Sequence, residues 1–233
     1  MTPVPTRRYR LVRLAVVAVV ALAVVVIGGP FVYIHFIEGP APTPLALPST
    51  TSRTAGAARL PSGLWRATSA SVVGYRVHEV LFGQNNTAVG RTHSVSGTIL
   101  LSGAAVTKAT FTVEMATVHS DESQRDNQFD GRIMDVAQFP TATFATTSPV
   151  ALNASLKPGA AIDATATGDL TLHGQTHRVT FRVKASYSSS AILINGSIPI
   201  TFSHYGIGNP GFVGITVDDH GELEFLLTLH ADS

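Results

Sequence analysis

The sequence predicts an all-β domain, an eight-stranded antiparallel barrel with a short helical insertion, preceded by one N-terminal transmembrane helix. Three observations predict it. Downstream of Trp65, apolar residues recur with a period of two in eight separate runs, the pattern of half-buried strands. No helical segment alternates regularly with those runs, which disfavours a parallel α/β sheet. Upstream, residues 14–37 form an apolar run that exceeds the roughly 20 residues a membrane-spanning helix needs.

The first 13 residues are basic, with Arg7, Arg8, Arg10 and Arg13 and no acid before or among them. The run from Leu14 to Ile37 is interrupted only by Gly28, Gly29, Pro30 and His35. Pro30 kinks such a helix without breaking it. The next basic residue is Arg53, so the positive-inside rule puts the N-terminus in the cytoplasm and the rest of the chain outside. This makes the protein a single-pass protein of the cell membrane. A removable signal peptide is the competing reading. Its apolar region is usually about 7–15 residues and ends at a small-residue cleavage site, and neither feature fits here. Arg7-Arg8 could open a twin-arginine signal, but Arg10 and Arg13 spoil that consensus.

Residues 38–64 are rich in Pro, Ala, Ser and Thr and nearly free of charge. Such a composition cannot bury a core and reads as a linker in extended polyproline geometry, about 3.1 Å per residue. The domain then covers 65–233.

The eight runs follow in order. Val73, Tyr75 and Val77 alternate with Gly74, Arg76 and His78. Val95, Ile99 and Leu101 make the second, Phe111, Val113 and Met115 the third, Ala142, Phe144 and Thr146 the fourth. Ile162, Ala164, Ala166, Leu170 and Leu172 form the fifth, and Val179, Phe181 and Val183 the sixth. Residues 192–202 and 223–229 complete the set. Ser102-Gly103, Pro158-Gly159 and His173-Gly174 supply hairpin turns. One apolar and one Thr-rich face suit a closed barrel, with Phe111, Phe181 and Phe225 inside and Thr112, Arg182 and Glu224 facing solvent. A barrel of this size is either filled by side chains or holds one small ligand. Small residues on the apolar face, among them Gly97, Ala109, Gly168, Ala185 and Gly196, leave room, unless bends or bulky neighbours use it. A membrane barrel would alternate too, with the apolar face outward. The N-terminal helix argues against it.

Between the third and fourth runs lies S-D-E-S-Q-R-D-N-Q-F-D-G-R-I-M-D-V-A-Q-F-P-T-A-T-F, from Ser120 to Phe144. Ser120 is placed to cap a helix, Asp121 and Glu122 to favour its positive end, and Phe129, Ile133 and Val136 to bury one face.

Composition excludes several chemistries. There is no cysteine, hence no disulfide, thiolate ligand or thiol nucleophile. Setting aside the four N-terminal arginines leaves 12 basic residues against 15 acidic ones, with no basic stripe, so nucleic acid is not a partner. Nine histidines are present, but His173 and His177 flank Gly174 in a turn and lack the helical i, i+4 geometry that zinc needs. No catalytic residue, metal site or cofactor is expected, since no P-loop, dinucleotide fingerprint or nucleophile elbow occurs. Asn85-Asn86-Thr87, Asn153-Ala154-Ser155 and Asn195-Gly196-Ser197 match the glycosylation sequon, which matters only in a compartment that glycosylates.

Four blocks in order carry a family resemblance: S-V-V-G-Y-R-V from Ser71, the Arg125 to Phe144 block, G-D-L-T-L-H-G-Q-T-H-R-V-T-F from Gly168, and H-Y-G-I from His204 with its run to L-E-F-L-L-T-L. Together they resemble the YceI-like family over about Trp65 to Leu229. Tyr75 stands where Phe is more usual, and His177 near a position often filled by Arg or Lys. The resemblance implies a lipocalin-like barrel that binds polyisoprenoid or similar lipids, and it supplies no catalytic residues.

The reading is a membrane-anchored extracytoplasmic protein of the cell envelope that sequesters an isoprenoid or other long-chain amphiphile. The candidate pocket lining is Tyr75, Val77, Phe111, Val113, Phe144, Ala164, Ala166, Phe181 and Ile198, with Arg125 and Asp126 as polar groups at the mouth. The alternatives are an interaction module with a filled barrel and a protein partner, and an enzyme acting on a bound lipid.

Overall fold

The computed structural model describes residues 7–29, 40–48, 62–152, 161–187, 190–212 and 214–232. Its strands are β1 (Gly63–Ala67), β2 (Val72–Leu81), β3 (Gln84–Thr92), β4 (Val95–Ser102), β5 (Ala105–Glu114), β6 (Thr141–Thr146), β7 (Val150–Ala151), β8 (Ala161–Leu172), β9 (Gln175–Tyr187), β10 (Ile192–Thr201), β11 (Ile215–Val217) and β12 (His220–Ala231). The helices are α1 (Arg7–Ala23) and α2 (Ser123–Gln128).

The strands form an eight-stranded, antiparallel, closed barrel. Two of its staves are jogged. β1 and β2 make one, and both pair with β12; β3 and β4 make the next, pairing with β2 and β1 respectively. The remaining staves, β5, β6, β8, β9, β10 and β12, follow in chain order, and the β1–β12 ladder closes the ring. At the jog after Ala67 the ladder is repaired by Ser71, which is fully buried. The Thr228 amide donates to Ser71 Oγ (3.1 Å), and Ser71 Oγ donates to the Thr228 carbonyl (3.2 Å). A buried peptide group left unpaired there would be costly.

Two-residue turns fix the register. Phe82-Gly83 joins Leu81 to its partner Gln84, and His173-Gly174 joins Leu172 to Gln175. Both residues of each turn have positive φ, as a hairpin turn matching the strand twist requires. Ser102 pairs with Ala105 across Gly103-Ala104. The expected turn at Pro158-Gly159 lies outside the described residues.

The apolar rows point inward and the polar rows outward, which rules out a lipid-facing outer wall. The outer wall carries ion pairs such as Arg178–Asp169. One end of the barrel is packed around Trp65, whose ring meets Tyr187 edge-on at 6.1 Å, with Ile99 and Leu229 buried beside it. At the other end sit the β2–β3 and β8–β9 turns, α2 and the segment after β10.

The helix α1 runs into a widened π turn at Val24–Gly28. Tyr9–Val26 has mean hydropathy 2.3 and is long and apolar enough to cross a membrane by length and composition. Residues 30–37 of the expected span lie outside the described residues.

Part of the expected linker lies on the barrel. Residues 40–48 lie against the outer wall as a strap. Arg76 Nη2 donates to the Pro42 carbonyl (2.6 Å), and Arg91 Nη2 to the Thr43 carbonyl (2.5 Å). The Leu45 amide donates to Glu224 Oε2 (3.2 Å), and Asn195 Nδ2 donates to the Leu45 carbonyl (2.8 Å). Glu224, expected in solvent, therefore points outward but is only 4% exposed, held by Arg91 (2.7 Å), Arg76 (3.4 Å) and the strap.

Candidate functional site

Alternation of side chains gives the barrel an apolar interior, and the rings on it determine its free volume. Gly90, Gly97, Gly168 and Gly196 sit beneath the rings of Tyr75, Phe111, Phe144 and Phe225, where a Cβ would collide with each. The glycines therefore do not leave the volume themselves. They let rings from neighbouring strands lie close to the wall, an arrangement in which an aromatic covers a strand glycine. Phe181 meets Phe144 (5.4 Å) and Phe225 (5.9 Å) edge-on. What remains is a cavity of about 650 Å³. Small-molecule sites occupy roughly 300–1,000 Å³.

Of the expected lining residues, Tyr75, Val77, Phe111, Val113, Phe144, Ala166, Phe181 and Ile198 border this cavity. Ala164, on the same face as Ile162 and Ala166, does not border it and packs against the core. Phe111, Phe181 and Phe225 all face inward, as the alternation required.

Polar groups gather at the end covered by α2. That helix leads into a π turn, Phe129–Ile133, closed by the Met134 amide bonding to the Phe129 carbonyl (2.9 Å). The extra residue in the turn drops Phe129 into the barrel, where its ring stacks on Tyr75 at 5.1 Å. Burial raises the Tyr75 phenol far above its ordinary value, so it stays protonated.

Arg125 borders the cavity and bonds Glu79 (3.4 Å) and Asp121. Glu79 is the group that the sequence reading missed. It occupies an inward position of β2, is 7% exposed, and accepts from Asn86 Nδ2 (2.9 Å). Its place in the Tyr75, Val77, Glu79, Leu81 row was the available signal. Asp126, expected with Arg125 at the mouth, does not border the cavity. Its Oδ1 accepts from the Ser120 amide (2.8 Å) and hydroxyl (2.7 Å), and Oδ2 meets His119 Nδ1 (3.2 Å). Ser120 is not the helix cap; Glu122 holds that position without a side-chain bond. Asp126 thus locks the loop that presents Arg125. A second arginine stands at the same end of the barrel. Arg132 borders the cavity, donating to the carbonyls of Asn209 (3.0 Å) and Pro210 (2.5 Å) and to Gln128 Oε1 (3.0 Å).

His173 and His177 meet backbone carbonyls rather than each other. His173 Nδ1 meets the Tyr205 carbonyl (3.0 Å) and His177 Nε2 the His204 carbonyl (2.7 Å). Among the described residues no group of three or more His, Asp or Glu could hold a metal ion.

A family model for the YceI-like domain matches residues 66–229. The chain belongs to this family. A UPF0312 protein of Pseudomonas putida is 28% identical over 118 residues, 48% of this chain and 58% of the relative. One of Pseudomonas fluorescens is 30% identical over 113 residues, 46% of this chain and 55% of the relative. The chain therefore spans somewhat over half the length of these curated relatives. Two solved structures share the YceI-like fold. A polyisoprenoid binding domain from Saccharophagus degradans, implicated in plant cell wall breakdown, superposes with a TM-score of 0.60 at 15% identity, covering 74% of this chain and all (100%) of that one. BcnA of Burkholderia cenocepacia gives a TM-score of 0.56 at 21% identity, covering 70% of this chain and 98% of that one.

Proposed function

We propose that this YceI-like barrel binds one long-chain amphiphile, an isoprenoid or similar lipid, outside the cytoplasm and behind a single membrane anchor. The carrying observation is the cavity of about 650 Å³ with an apolar body and polar groups at one end. Transfer of a lipid tail from water to such walls is favourable by about 25 cal/mol per Å² buried. The polar end suits a head group. Arg125 is balanced by Glu79 and Asp121, while the partners of Arg132 are two carbonyls and an amide, all uncharged. Arg132 is therefore the better placed of the two to meet an anionic head group. The solved domain from Saccharophagus degradans supports the ligand class. The anchor reading is supported by the apolar helix Tyr9–Val26. The role is sequestration or carriage rather than turnover, and no cofactor is invoked. A filled barrel serving only as an interaction module needs an interior without such a cavity.

The test is organic extraction and mass spectrometry of the purified full chain, beside an Ala166→Phe variant. The wild type should release a long-chain amphiphile in near-stoichiometric amount, and Ala166→Phe should release little. Bound ligand stabilises the folded state by mass action, so melting temperatures are compared after delipidation. The delipidated variant should melt close to wild type. A wild-type extract without lipid, and no uptake of an added fluorescent polyprenyl phosphate, would overturn the reading.

A further inference from the structure

The strap has a direction. Pro42 is bound at Arg76, which pairs with Glu222, whereas Leu45 is bound at Glu224 and at Asn195, which pairs with Leu226. Along β12 the step from Glu222 to Leu226 leads away from the barrel mouth, because the mouth lies at the His220 end of this strand. The chain before Pro42 therefore heads toward the mouth, and the chain after Leu45 heads toward the closed end, where β1 begins.

Docking of residues 40–48 also shortens the tether. At most ten residues, 30–39, separate the described helix from the strap, and only 38 and 39 do where the span runs to Ile37. Ten residues reach about 36 Å at full extension. From Arg76 to the hairpin tip at Phe82 is about 20 Å along the strand, at 3.3 Å per residue. From the partner position Glu222 to Ala231, at the closed end, is about 30 Å on the same scale. Ten residues are the upper bound on the tether, and that bound covers the distance to the mouth plane. To reach past the closed end the tether would have to reverse direction and stretch almost fully. Gly29, the last described residue of the helix, borders the cavity.

The rim carries aromatic tips. Phe82 is 55% exposed and Phe212 is 49% exposed, and both border the cavity. Phe82 holds φ at +47° in a two-residue turn, where Asn or Gly is the ordinary choice. One side of its ring covers Gly214, and more than half of the residue is still left exposed at the rim. Aromatic side chains on an exposed rim suit the interface of a bilayer.

We propose that the strap is a clasp that holds the barrel mouth-first against the membrane carrying the N-terminal helix, with Phe82 and Phe212 touching the lipid surface. This rests on the anchor reading above. The cavity then opens onto the bilayer, and an amphiphile can pass between membrane and barrel without crossing water. The buried carboxylate of Glu224 is the centre of the clasp, because it binds both arginines and the strap backbone.

The test uses the full chain reconstituted in phosphatidylcholine–phosphatidylglycerol vesicles with brominated acyl chains, which quench tryptophan on contact. The chain's one tryptophan, Trp65, is 2% exposed and supplies the baseline. Phe82→Trp and Phe212→Trp should lose most of their added emission, whereas Leu100→Trp, at the closed end, should lose none. Adding Glu224→Ala to Phe82→Trp should cut the quenching at least twofold. If that variant fails to fold by circular dichroism, Asn195→Ala serves in its place. Flotation of the same vesicles separates the two readings. Protein that floats while Phe82→Trp and Phe212→Trp remain as unquenched as Leu100→Trp overturns the clasp and leaves the anchor. Protein that does not float overturns the anchor and the clasp with it.

Discussion

Glu224 shows how far one residue can depart from a correct direction. Alternation along β12 aims it outward, and outward it points, yet it is buried beneath a strap that lies 179 positions earlier in the chain. Periodicity gives the face of a side chain and says nothing of what covers that face. Glu79 is the mirror case: an acid on an apolar row, buried with Asn86 and Arg125, which the pattern of its neighbours placed inside all along. The two acids differ in energetic weight from surface pairs. Hydrogen bonds to charged groups contribute about 1.5–3 kcal/mol, whereas exposed ion pairs contribute about 0–1 kcal/mol. Glu224→Ala removes one carboxylate that serves Arg76, Arg91 and Leu45, and it should lower stability by about 2–3 kcal/mol. Arg178→Ala breaks the exposed pair with Asp169 and should stay within about 1 kcal/mol. Urea melts of both variants decide this, and equal losses would mean that Glu224 is solvated.

At the scale of elements, the eight expected runs all correspond to strands, because each buries one face and therefore alternates. β1, β3 and the short β7 and β11 were not read. G-L-W-R-A is too short to show a period, and Q-N-N-T-A-V-G-R-T is polar at its start, where it pairs with β2 alone. β3 follows β2 through the Phe82-Gly83 turn, whose two-residue geometry leaves the chain no other register. In the insertion, Phe129, Ile133 and Val136 do pack in or against the core, but all three lie after α2, and the expected cap is not the cap. The Asp126 carboxylate, not the Ser120 hydroxyl, closes the loop, a choice set by the chain path between β5 and β6. Turn glycines offer an element-scale test. Gly103 (φ +59°) and Gly174 (φ +72°) both need the left-handed region, but only Gly174 lies under a ring, that of Phe139. Gly103→Ala should cost the conformational penalty alone, about 1–2 kcal/mol. Gly174→Ala should add about 1–3 kcal/mol of overpacking. Denaturant midpoints of the two variants measure the difference. Equal midpoints would mean that the Phe139 ring moves aside freely.

At the scale of the whole molecule, composition says nothing of where the chain docks on the barrel. A segment of Pro, Ala, Ser and Thr without charge carries no core of its own, so 38–64 reads as a spacer. The structure nevertheless lays residues 40–48 on the barrel through backbone groups, which composition does not encode. Prolines at 40, 42, 44 and 48 make this possible. They hold the chain near polyproline geometry before it docks, which reduces the conformational entropy that docking removes. The strap then gains charge-assisted bonds from Arg76 and Arg91, along with those of Glu224 and Asn195 to both polar groups of Leu45. A chain that begins at residue 40 should therefore be more stable than one that begins at residue 62 by about 1–2 kcal/mol, after the cost of ordering the segment. Its urea m-value should also be the larger, because unfolding exposes the surface that the strap covers. Mutating Glu224 to Ala in both chains should abolish most of this difference, because the strap then loses the carboxylate that binds Leu45 and holds both arginines. Coincident melts of the two unmutated chains would make residues 40–48 a spacer that merely touches the barrel.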